Sequence, residues 1–167
     1  TYAPGLFRGR TVLVTGGGRG IGRATALGFA ELGADVAIAA RDADNLAKTL
    51  DDLLSIGVRA TSFVADIRNT ESVEALRDHV MSALGKLDFL INNAGGQFPA
   101  RPSQISDRGF RAVVDLNLHG TWNMMSRFVP DLVAAGDGAI VNVVHNQVGE
   151  RGAPLFLHSG AARAVAR

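Results

Sequence analysis

The sequence lacks several features that would point to common classes of function. It has no cysteine among its 167 residues, which excludes a disulfide framework, a thiolate nucleophile and a cysteine metal site. Its net charge is +1 at pH 7, which gives no electrostatic basis for binding nucleic acid or an anionic membrane. Its apolar runs are of strand length, and no signal-like segment precedes them. We therefore expect a soluble, cytoplasmic protein without a metal, nucleic-acid or membrane partner.

The composition is otherwise that of an ordinary globular protein. Hydrophobic residues make up 47% and charged residues 20% of the chain. A chain of 167 residues is long enough to bury a sizeable core, and no linker or internal repeat divides it. We therefore expect a single domain over residues 1–167.

Strand-like and helix-like segments alternate along the chain. The predicted strands are Thr11–Thr15, Asp35–Ala40, Val58–Ala65, Leu87–Asn92 and Ala139–Val144. The predicted helices are Gly20–Leu32, Asp42–Ile56, Asn69–Leu84, Ser106–Ala135 and a last one that begins near Pro154. This alternation predicts an α/β fold, in which a doubly wound parallel sheet with right-handed crossovers forms the middle of three α/β/α layers.

A glycine-rich turn follows the first predicted strand and opens the first predicted helix. Its glycines include Gly16, Gly20 and Gly22, at a spacing that differs from the general G-x-G-x-x-G fingerprint. Glycine lacks a Cβ atom, so its backbone can form a tight turn and approach a phosphate closely. The N–H groups at the start of the helix would then face a pyrophosphate. The pattern predicts a dinucleotide site, and the alternative is a flexible turn between unrelated elements.

The end of the second predicted strand carries the residues that would select between the two nicotinamide dinucleotides. At this place an acidic residue binds a free ribose 2′-hydroxyl, whereas an arginine binds a 2′-phosphate. The strand ends with Ala40 and Arg41, and Arg19 lies in the glycine turn on the same side. Two arginines favour NADP(H), and NAD(H) stays possible. The alternative is that Arg41 is solvated and pairs with Asp42 or Asp44.

Three motifs resemble those of the short-chain dehydrogenase/reductase family. They are Thr15-Gly16 with Gly20-Ile21-Gly22, then Asn92-Asn93-Ala94-Gly95, and then Asn117 within Asp115-Leu116-Asn117-Leu118. The motifs occur in the family's order and spacing, and they span nearly the whole chain. The resemblance implies a Rossmann-like fold whose C-terminal part is absent here, because the family's domain continues past Arg167.

The resemblance also implies which residues bind the cofactor. Asp66 stands where the family has an aspartate that contacts the adenine ring, although it could instead cap the following helix. The segment from Asn93 to Gly95 would pass beside the cofactor ribose, although asparagine can also serve to shape a tight turn. The complete predicted set is Gly16, Arg19, Gly20, Ile21, Gly22, Arg41, Asp66, Ile67, Asn93, Ala94 and Gly95.

The catalytic corner departs from the family's usual set of Asn, Ser, Tyr and Lys. The asparagine is present as Asn117, where it could also simply bend the helix. The only tyrosine in the chain is Tyr2, and the family's Tyr-x-x-x-Lys pair aligns with Ser159 and Arg163. His145 lies near the place of the family's serine. The predicted catalytic residues are therefore Asn117, His145, Ser159 and Arg163.

The segment around Ser159 resembles the peroxisomal trans-2-enoyl-CoA and 2,4-dienoyl-CoA reductases, which commonly show a His-Ser-x-x-Ala-Lys/Arg segment. Reducing a double bond conjugated to a thioester requires an enolate to be stabilised, and hydrogen-bond donors with a nearby cation can do this. The resemblance therefore implies an oxidoreductase of fatty acid metabolism that reduces an α,β-unsaturated acyl-CoA with NADPH. Two alternatives stay open. One is a broad alcohol dehydrogenase or carbonyl reductase with His145 as proton donor, and the other is an NADP-binding protein without turnover.

The long predicted helix suggests self-association. Leu116, Trp122, Met125 and Phe128 give this helix more apolar surface than one face of a sheet needs. The corresponding helix of the family packs between subunits, so the resemblance implies a homotetramer or dimer. The alternative is that these four residues all belong to the core.

Overall fold

A parallel sheet of five strands forms the centre of the protein. The structure, a computed structural model, describes residues 2–145 and 154–164. The strands are β1 (Thr11–Thr15), β2 (Asp35–Ala40), β3 (Ala60–Val64), β4 (Phe89–Asn92) and β5 (Ala139–Asn142). Their order in the sheet is β3-β2-β1-β4-β5, and all neighbouring pairs are parallel. The predicted doubly wound α/β fold is therefore confirmed, with the order reversing between β1 and β4.

Helices connect the strands and cover both faces of the sheet. They are α1 (Gly20–Glu31), α2 (Ala43–Ile56), α3 (Thr70–Leu84), α4 (Asp107–Val114), α5 (Gly120–Ala134) and α6 (Leu157–Ala164). A short 3-10 turn occupies Pro102–Gln104, and a π-helical turn at Asp115–His119 joins α4 to α5. Among the helices in the described ranges, none is both long and apolar enough to cross a membrane.

Local signals explain where the helices begin and end. The side chain of Asp42 accepts a hydrogen bond from the Asn45 N–H, and Asn69 accepts one from the Ser72 N–H, so each residue caps its helix. Gly57 and Gly85 end the same two helices in the left-handed conformation. These bounds agree with the predicted ones to within one residue.

Five predictions of element bounds require correction. Strands β3 and β4 each begin two residues later than predicted. Strand β5 ends at Asn142 instead of Val144, because its register with β4, its neighbour in the described part of the chain, ends at the pair Asn92–Asn142. The predicted helix Ser106–Ala135 is interrupted by the π-helical turn, and the last helix begins at Leu157, three residues after Pro154.

Side chains of β1 point alternately to two apolar clusters, one on each face of the sheet. Val12 and Val14 pack with Ile38, Leu46 and other buried residues beneath α1 and α2. Leu13 belongs to the opposite cluster, which contains buried side chains of α3 and α5. The sheet is therefore buried on both faces, as a three-layer arrangement requires.

The apolar residues of the long helix do not act as one surface. Phe128 is fully buried in the core, so it is not available for contact with a second copy of the chain. Trp122 has 62% of its surface exposed, which excludes a core role for it within this chain. Leu116 packs at the edge of the core.

A cluster of charged side chains links the chain segments at the amino-terminal ends of β1, β4 and β5. The buried carboxylate of Asp88 accepts hydrogen bonds from the Thr11 N–H at 2.8 Å and from Arg10 at 2.9 Å, and Lys86 lies 2.9 Å away. Arg10 also binds Asp137, which comes just before β5. Burial alone would raise the pKa of Asp88, but the hydrogen bonds from Lys86, Arg10 and Thr11 outweigh it and hold the pKa below its usual range.

Replacing Asp88 with asparagine is expected to lower the free energy of unfolding by about 2 kcal/mol, since two cations and one N–H lose a buried charged acceptor. Urea unfolding at pH 7 measures the loss. The exposed Asp78→Asn is the matched control and should change little. Because the folded pKa is lowered, the contribution of Asp88 is fully present above its unfolded pKa of about 3.9 and is lost as the pH falls further, through the folded pKa. The difference between variant and wild type should therefore begin to shrink below about pH 3.9, and a difference that stays constant well below that pH would contradict this account.

Candidate functional site

The glycine turn between β1 and α1 is folded tightly against the end of β4. Gly16 has φ +68°, in the left-handed region that favours glycine. A Cβ atom added to Gly22 would meet the carbonyl oxygen of Gly16 and the side-chain amide of Asn93. A Cβ atom on Gly17 would come within 2.6 Å of Ile38 Cγ2. The turn therefore needs glycine for close approach as well as for conformation.

The hydroxyl group of Thr15 joins the ends of β1 and β4. Its Oγ1 atom accepts hydrogen bonds from the N–H groups of Asn93 and Ala94, each at 3.0 Å, and donates to the Ile91 carbonyl at 3.3 Å. Asn93 returns a bond from Nδ2 to the Thr15 carbonyl at 2.9 Å. The predicted role of Asn93 in shaping the backbone thus has a direct structural basis.

A cleft of about 450 Å³ opens at the carboxyl ends of β1, β2, β3 and β4. This is the place where an open parallel sheet binds its ligand, beside the reversal of strand order. All of the residues predicted to bind a cofactor line this cleft: Gly16, Arg19, Gly20, Ile21, Gly22, Arg41, Asp66, Ile67, Asn93, Ala94 and Gly95. Asn45 and Leu116 line it as well, and the sequence analysis did not identify them as cofactor residues.

Two arginines that line the cleft, Arg19 and Arg41, form no ion pair with a carboxylate of the described residues. Arg19 and Arg41 are both exposed, and among residues 2–145 and 154–164 no carboxylate lies within ion-pair distance of either one. Asp42, which could have paired with Arg41, caps α2 instead. The alternative of an Arg41 ion pair with Asp42 or Asp44 is therefore not found in the described part of the chain.

Asp66 is held by a neighbouring arginine that the sequence analysis did not single out. The Arg68 guanidinium bonds both carboxylate oxygens of Asp66, with Nε to Oδ1 at 2.9 Å. This hydrogen bonding lowers the pKa of Asp66 from its usual value, and the charge of Arg41 lowers it further. Asp66 does not cap α3, because Asn69 does.

Asn117 lies in the π-helical turn with its side chain turned toward the chain segment after β4. Its Nδ2 atom donates to the carbonyls of Gly96 and Val113, each at 2.8 Å, and its Oδ1 atom accepts from the Gly96 N–H at 3.2 Å. The Asn117 carbonyl accepts a hydrogen bond from the Thr121 hydroxyl at 2.9 Å. The helix is thus locally distorted at Asn117, which fixes the position of Gly96.

Arg163 reaches from α6 to Gly95, one of the residues that line the cleft. Its Nη1 atom donates to the Val143 carbonyl at 2.7 Å, and its guanidinium lies so close to Gly95 that a Cβ atom there would collide with it. Burial lowers the pKa of Arg163, although the group stays charged near neutral pH. No carboxylate of the described residues pairs with it, so its charge is available at the cleft.

Ser159 lies at the centre of a short hydrogen-bonded chain. His145 Nε2 is 2.9 Å from Ser159 Oγ, and Ser159 Oγ donates to Gln97 Oε1 at 2.5 Å. Burial lowers the pKa of His145, and the positive charge of Arg163 lowers it further, so the imidazole is neutral at neutral pH. Three of the four predicted catalytic residues, namely His145, Ser159 and Arg163, are thus brought together. Asn117 lies close to them, because a Cβ atom at Gly95 would meet both its Oδ1 atom and the Arg163 guanidinium.

Two residues with polar rings lie outside this arrangement. Tyr2 is 75% exposed in the N-terminal arm, so the chain's only tyrosine is not part of the site. His158 is fully buried, its ring stacks at 4.4 Å from that of Phe98, and its nitrogens have no hydrogen-bond partner among the described residues. His158 thus has a packing role.

The fold and the cleft define a dinucleotide-binding α/β protein, and comparison with known families is more specific. The chain belongs to the short-chain dehydrogenase family, whose model, described as short chain dehydrogenase, matches residues 10–165. This confirms the family that the three motifs indicated.

Similar proteins include reductases and dehydrogenases with different substrates. A peroxisomal 2,4-dienoyl-CoA reductase of Arabidopsis thaliana is 33% identical over 85% of this chain and 50% of its own length. The structure of a citronellol catabolism dehydrogenase from Pseudomonas aeruginosa PAO1 has a TM-score of 0.90 at 38% identity, covering 98% of this chain and 66% of that one. A structure of NAD+-bound xylitol dehydrogenase has a TM-score of 0.91 at 32% identity, covering 96% and 62%. The chain spans about half the length of the curated relatives that it matches.

Replacing Gly22 with alanine is expected to lower the free energy of unfolding by about 2–3 kcal/mol, because the new methyl group would meet the Gly16 carbonyl and force the turn open. Gly28→Ala is the matched control in the same helix, since a Cβ atom at Gly28 has no neighbour within 4 Å. Urea unfolding of both variants checks this. Equal stability of the two variants would show that the turn has room that the structure denies it.

Proposed function

We propose that the protein is an oxidoreductase that uses NADPH to reduce the double bond of an α,β-unsaturated acyl-CoA. The observation that carries the proposal is the presence on α6 of the Ser159 hydroxyl and the half-buried Arg163 guanidinium, where the family usually has a tyrosine and a lysine. The resemblance of this segment to the enoyl-CoA reductase branch supports the same conclusion. So does the similarity to a named 2,4-dienoyl-CoA reductase.

The cleft fits a dinucleotide. Gly16 and Gly22 leave the turn free of Cβ atoms, so that the first N–H groups of α1 can face a pyrophosphate. Asp66 and Ile67 would hold the adenine end, and Asn93, Ala94 and Gly95 would line the ribose nearest the reacting carbon. The bound cofactor would supply a hydride. In this proposal residues 1–167 belong to a single dinucleotide-binding domain.

The arginines of the cleft support NADPH over NADH. Arg19 and Arg41 are exposed on the side of the cleft where the second strand ends, and the nearby Asp66 is already engaged by Arg68. A 2′-phosphate would meet two cations there and no free carboxylate at position 40. NADH binding stays possible, since two structural relatives are named as NAD-bound.

The residues around Ser159 suit the stabilisation of an enolate better than the delivery of a proton. A serine hydroxyl has too high a pKa to release its proton near neutral pH, but it can donate a hydrogen bond. His145 lies next to it, with Nε2 at 2.9 Å from the Ser159 oxygen, and would hold that hydroxyl in position. Arg163 would hold the cofactor ribose and place a positive charge close to the developing negative oxygen. Asn117 would keep Gly96 and the adjoining loop in place.

A second candidate is a broad short-chain alcohol dehydrogenase or carbonyl reductase. The observation in its favour is the position of His145, whose Nε2 atom lies 2.9 Å from Ser159 Oγ and whose imidazole is a side chain able to carry a proton. The structural relatives named as dehydrogenases of citronellol catabolism and of xylitol support the same class. A protein that binds NADPH without turnover is the third possibility, and the assay below separates all three.

We further propose that the protein forms a dimer or tetramer through the helix of α4 and α5, where Trp122 is exposed. Exposed tryptophan is a residue that protein interfaces favour. The buried Phe128 takes no part in such a contact. A cytoplasmic location stays a prediction, and some relatives are named as peroxisomal.

Replacing Arg163 with alanine is expected to lower the rate of NADPH oxidation with a short trans-2-enoyl-CoA by about 100-fold or more, because one preorganised charge at the oxyanion is lost. The absorbance of NADPH in the full-length protein measures this rate. Arg163→Lys keeps the charge and should retain part of the activity. Full activity of the alanine variant would contradict the assignment of Arg163.

The same assay with a ketone and an aldehyde tests the function itself. Oxidation of NADPH with the thioester alone supports the enoyl reductase. Oxidation with the carbonyl compounds alone supports the second candidate and moves proton donation to His145. If the protein binds NADPH but oxidises it with none of these compounds, the result supports the third possibility, a protein that binds NADPH without turnover.

Replacing Arg41 with alanine is expected to raise the Kd of NADPH about tenfold and leave that of NADH nearly unchanged, since a charged hydrogen bond to the 2′-phosphate is lost. Fluorescence titration with each cofactor measures both constants. Arg8→Ala, before the amino end of β1, is the control for a change in overall charge. An equal change in both constants would exclude contact between Arg41 and the 2′-phosphate.

A further inference from the structure

Hydrogen bonds from its own residues and from the start of α3 shape the short segment that follows β3. This segment carries Asp66 and Ile67, which line the cleft. The Asp66 N–H donates to Ser72 Oγ at 3.1 Å, and the Asp66 carbonyl accepts from the Asn69 N–H at 3.0 Å. The Arg68 N–H donates to Asp66 Oδ1 at 3.1 Å. The peptide groups on both sides of Asp66 are therefore held locally.

The next peptide group, between Ile67 and Arg68, is held from a different element. Asn123, in the first turn of α5, donates from Nδ2 to the Ile67 carbonyl at 3.0 Å. The C=O and N–H groups of a trans peptide point in opposite directions, so this bond also directs the Arg68 N–H toward the Asp66 carboxylate. Asn123 itself does not line the cleft. It therefore acts on Asp66 through a single peptide group.

The side chain of Ile67 rests on the same turn of α5. A Cβ atom added to Gly120, the first residue of α5, would come within 2.7 Å of both Cγ1 and Cδ1 of Ile67. Ile67 is 6% exposed, so its side chain fills the space that glycine leaves beside the helix. One turn of α5 thus holds Ile67 twice, by its carbonyl and by its side chain.

We propose that Asn123 is a positioning residue for the adenine end of the cofactor, which keeps residues 66–67 in their binding conformation from outside the cleft. This rests on the proposed function, because it takes Asp66 and Ile67 as the residues that hold the adenine end. A segment that is ordered in advance binds more tightly than one that must be ordered on binding. Loss of the Asn123 amide therefore weakens every ligand that carries the adenine half and leaves hydride transfer unchanged.

The first test measures Kd by calorimetry for NADPH, NADH and ADP-ribose, which keeps the adenine half and lacks the nicotinamide. In Asn123→Ala all three constants should rise by the same factor, about fivefold, which corresponds to one net hydrogen bond. Asn123→Asp keeps the shape of the side chain but cannot donate at neutral pH, so it should raise them as well. Arg127→Ala is the matched control. It breaks the bond to Glu74 between α5 and α3 at 3.0 Å, which does not involve Ile67, and should leave all three constants unchanged.

Three results of these titrations would overturn the proposal. Unchanged constants in either Asn123 variant would show that the hydrogen bond to Ile67 does not matter for binding. An equal rise in Arg127→Ala would show a general effect of loosening α5 from α3. A rise for the dinucleotides without one for ADP-ribose would place the defect at the nicotinamide end, near Asn117 in the preceding turn.

The second test compares KM with kcat for the full-length protein with NADPH and crotonyl-CoA. Asn123→Ala should raise the KM for NADPH by the same factor as Kd and leave kcat unchanged, since binding is lost equally from the ground state and the transition state. A lower kcat at saturating NADPH would overturn the proposal. Failure of the wild type to reduce crotonyl-CoA would count against the proposed function alone, because the titrations need no acceptor. A wild type that binds none of the three ligands would overturn both.

Discussion

The three hydrogen bonds of the Thr15 hydroxyl are the interaction on which the rest of the site depends. A hydroxyl has one proton and two lone pairs, and here each is used: the proton on the Ile91 carbonyl, the lone pairs on the N–H groups of Asn93 and Ala94. The group is 1% exposed, so water does not compete for these bonds. They hold the ends of β1 and β4 together at the reversal of strand order, where the two strands would otherwise diverge into separate loops.

Both sides of the site extend from that junction. Toward β2, the glycine turn folds over Asn93 so closely that Gly22 has no space for a side chain. Toward α6, the chain leaves Ala94 and within two residues meets Arg163 at Gly95 and Asn117 at Gly96. The cleft and the group of residues around Ser159 are therefore not structurally independent. They share one short segment after β4, whose position is set by a buried threonine.

Much of this arrangement could be predicted from the sequence, because its causes are local. The strand pattern of Thr11–Thr15 and the glycines after it define a turn with little freedom. Once parallel strands are expected, the residues at their carboxyl ends must line a common edge, and these are the residues that line the cleft. The predicted bounds were wrong where a neighbouring strand decides them: β5 ends at Asn142 because its register with β4 ends at the Asn92–Asn142 pair.

Other features depend on contacts that no local pattern reveals. Gln97 is an exposed loop residue, and its partner Ser159 lies 62 positions along the chain on a different element. Nothing in the spacing of the sequence brings the two together before α6 has packed. The bond between Arg68 and Asp66 could have been considered from the sequence, because the two residues lie two positions apart. Neighbouring opposite charges on a protein surface are usually solvated, however, so their spacing alone does not predict an ion pair.

The π-helical turn at Asp115–His119 allows the two halves of the long helix to pack against different parts of the protein. Such a turn holds one residue more than an α-helical turn, so it rotates every later side chain by about 100° around the helix axis. Before the turn, α4 packs against α6 near the catalytic corner, and after it, α5 packs against α3 and β4 in the core. The inward-facing positions of α4 and of α5 are therefore offset from each other around the helix axis. The side chains of α4 and α5 that pack against other elements can therefore differ in helical phase, and Asn117 lies in the turn between the two halves.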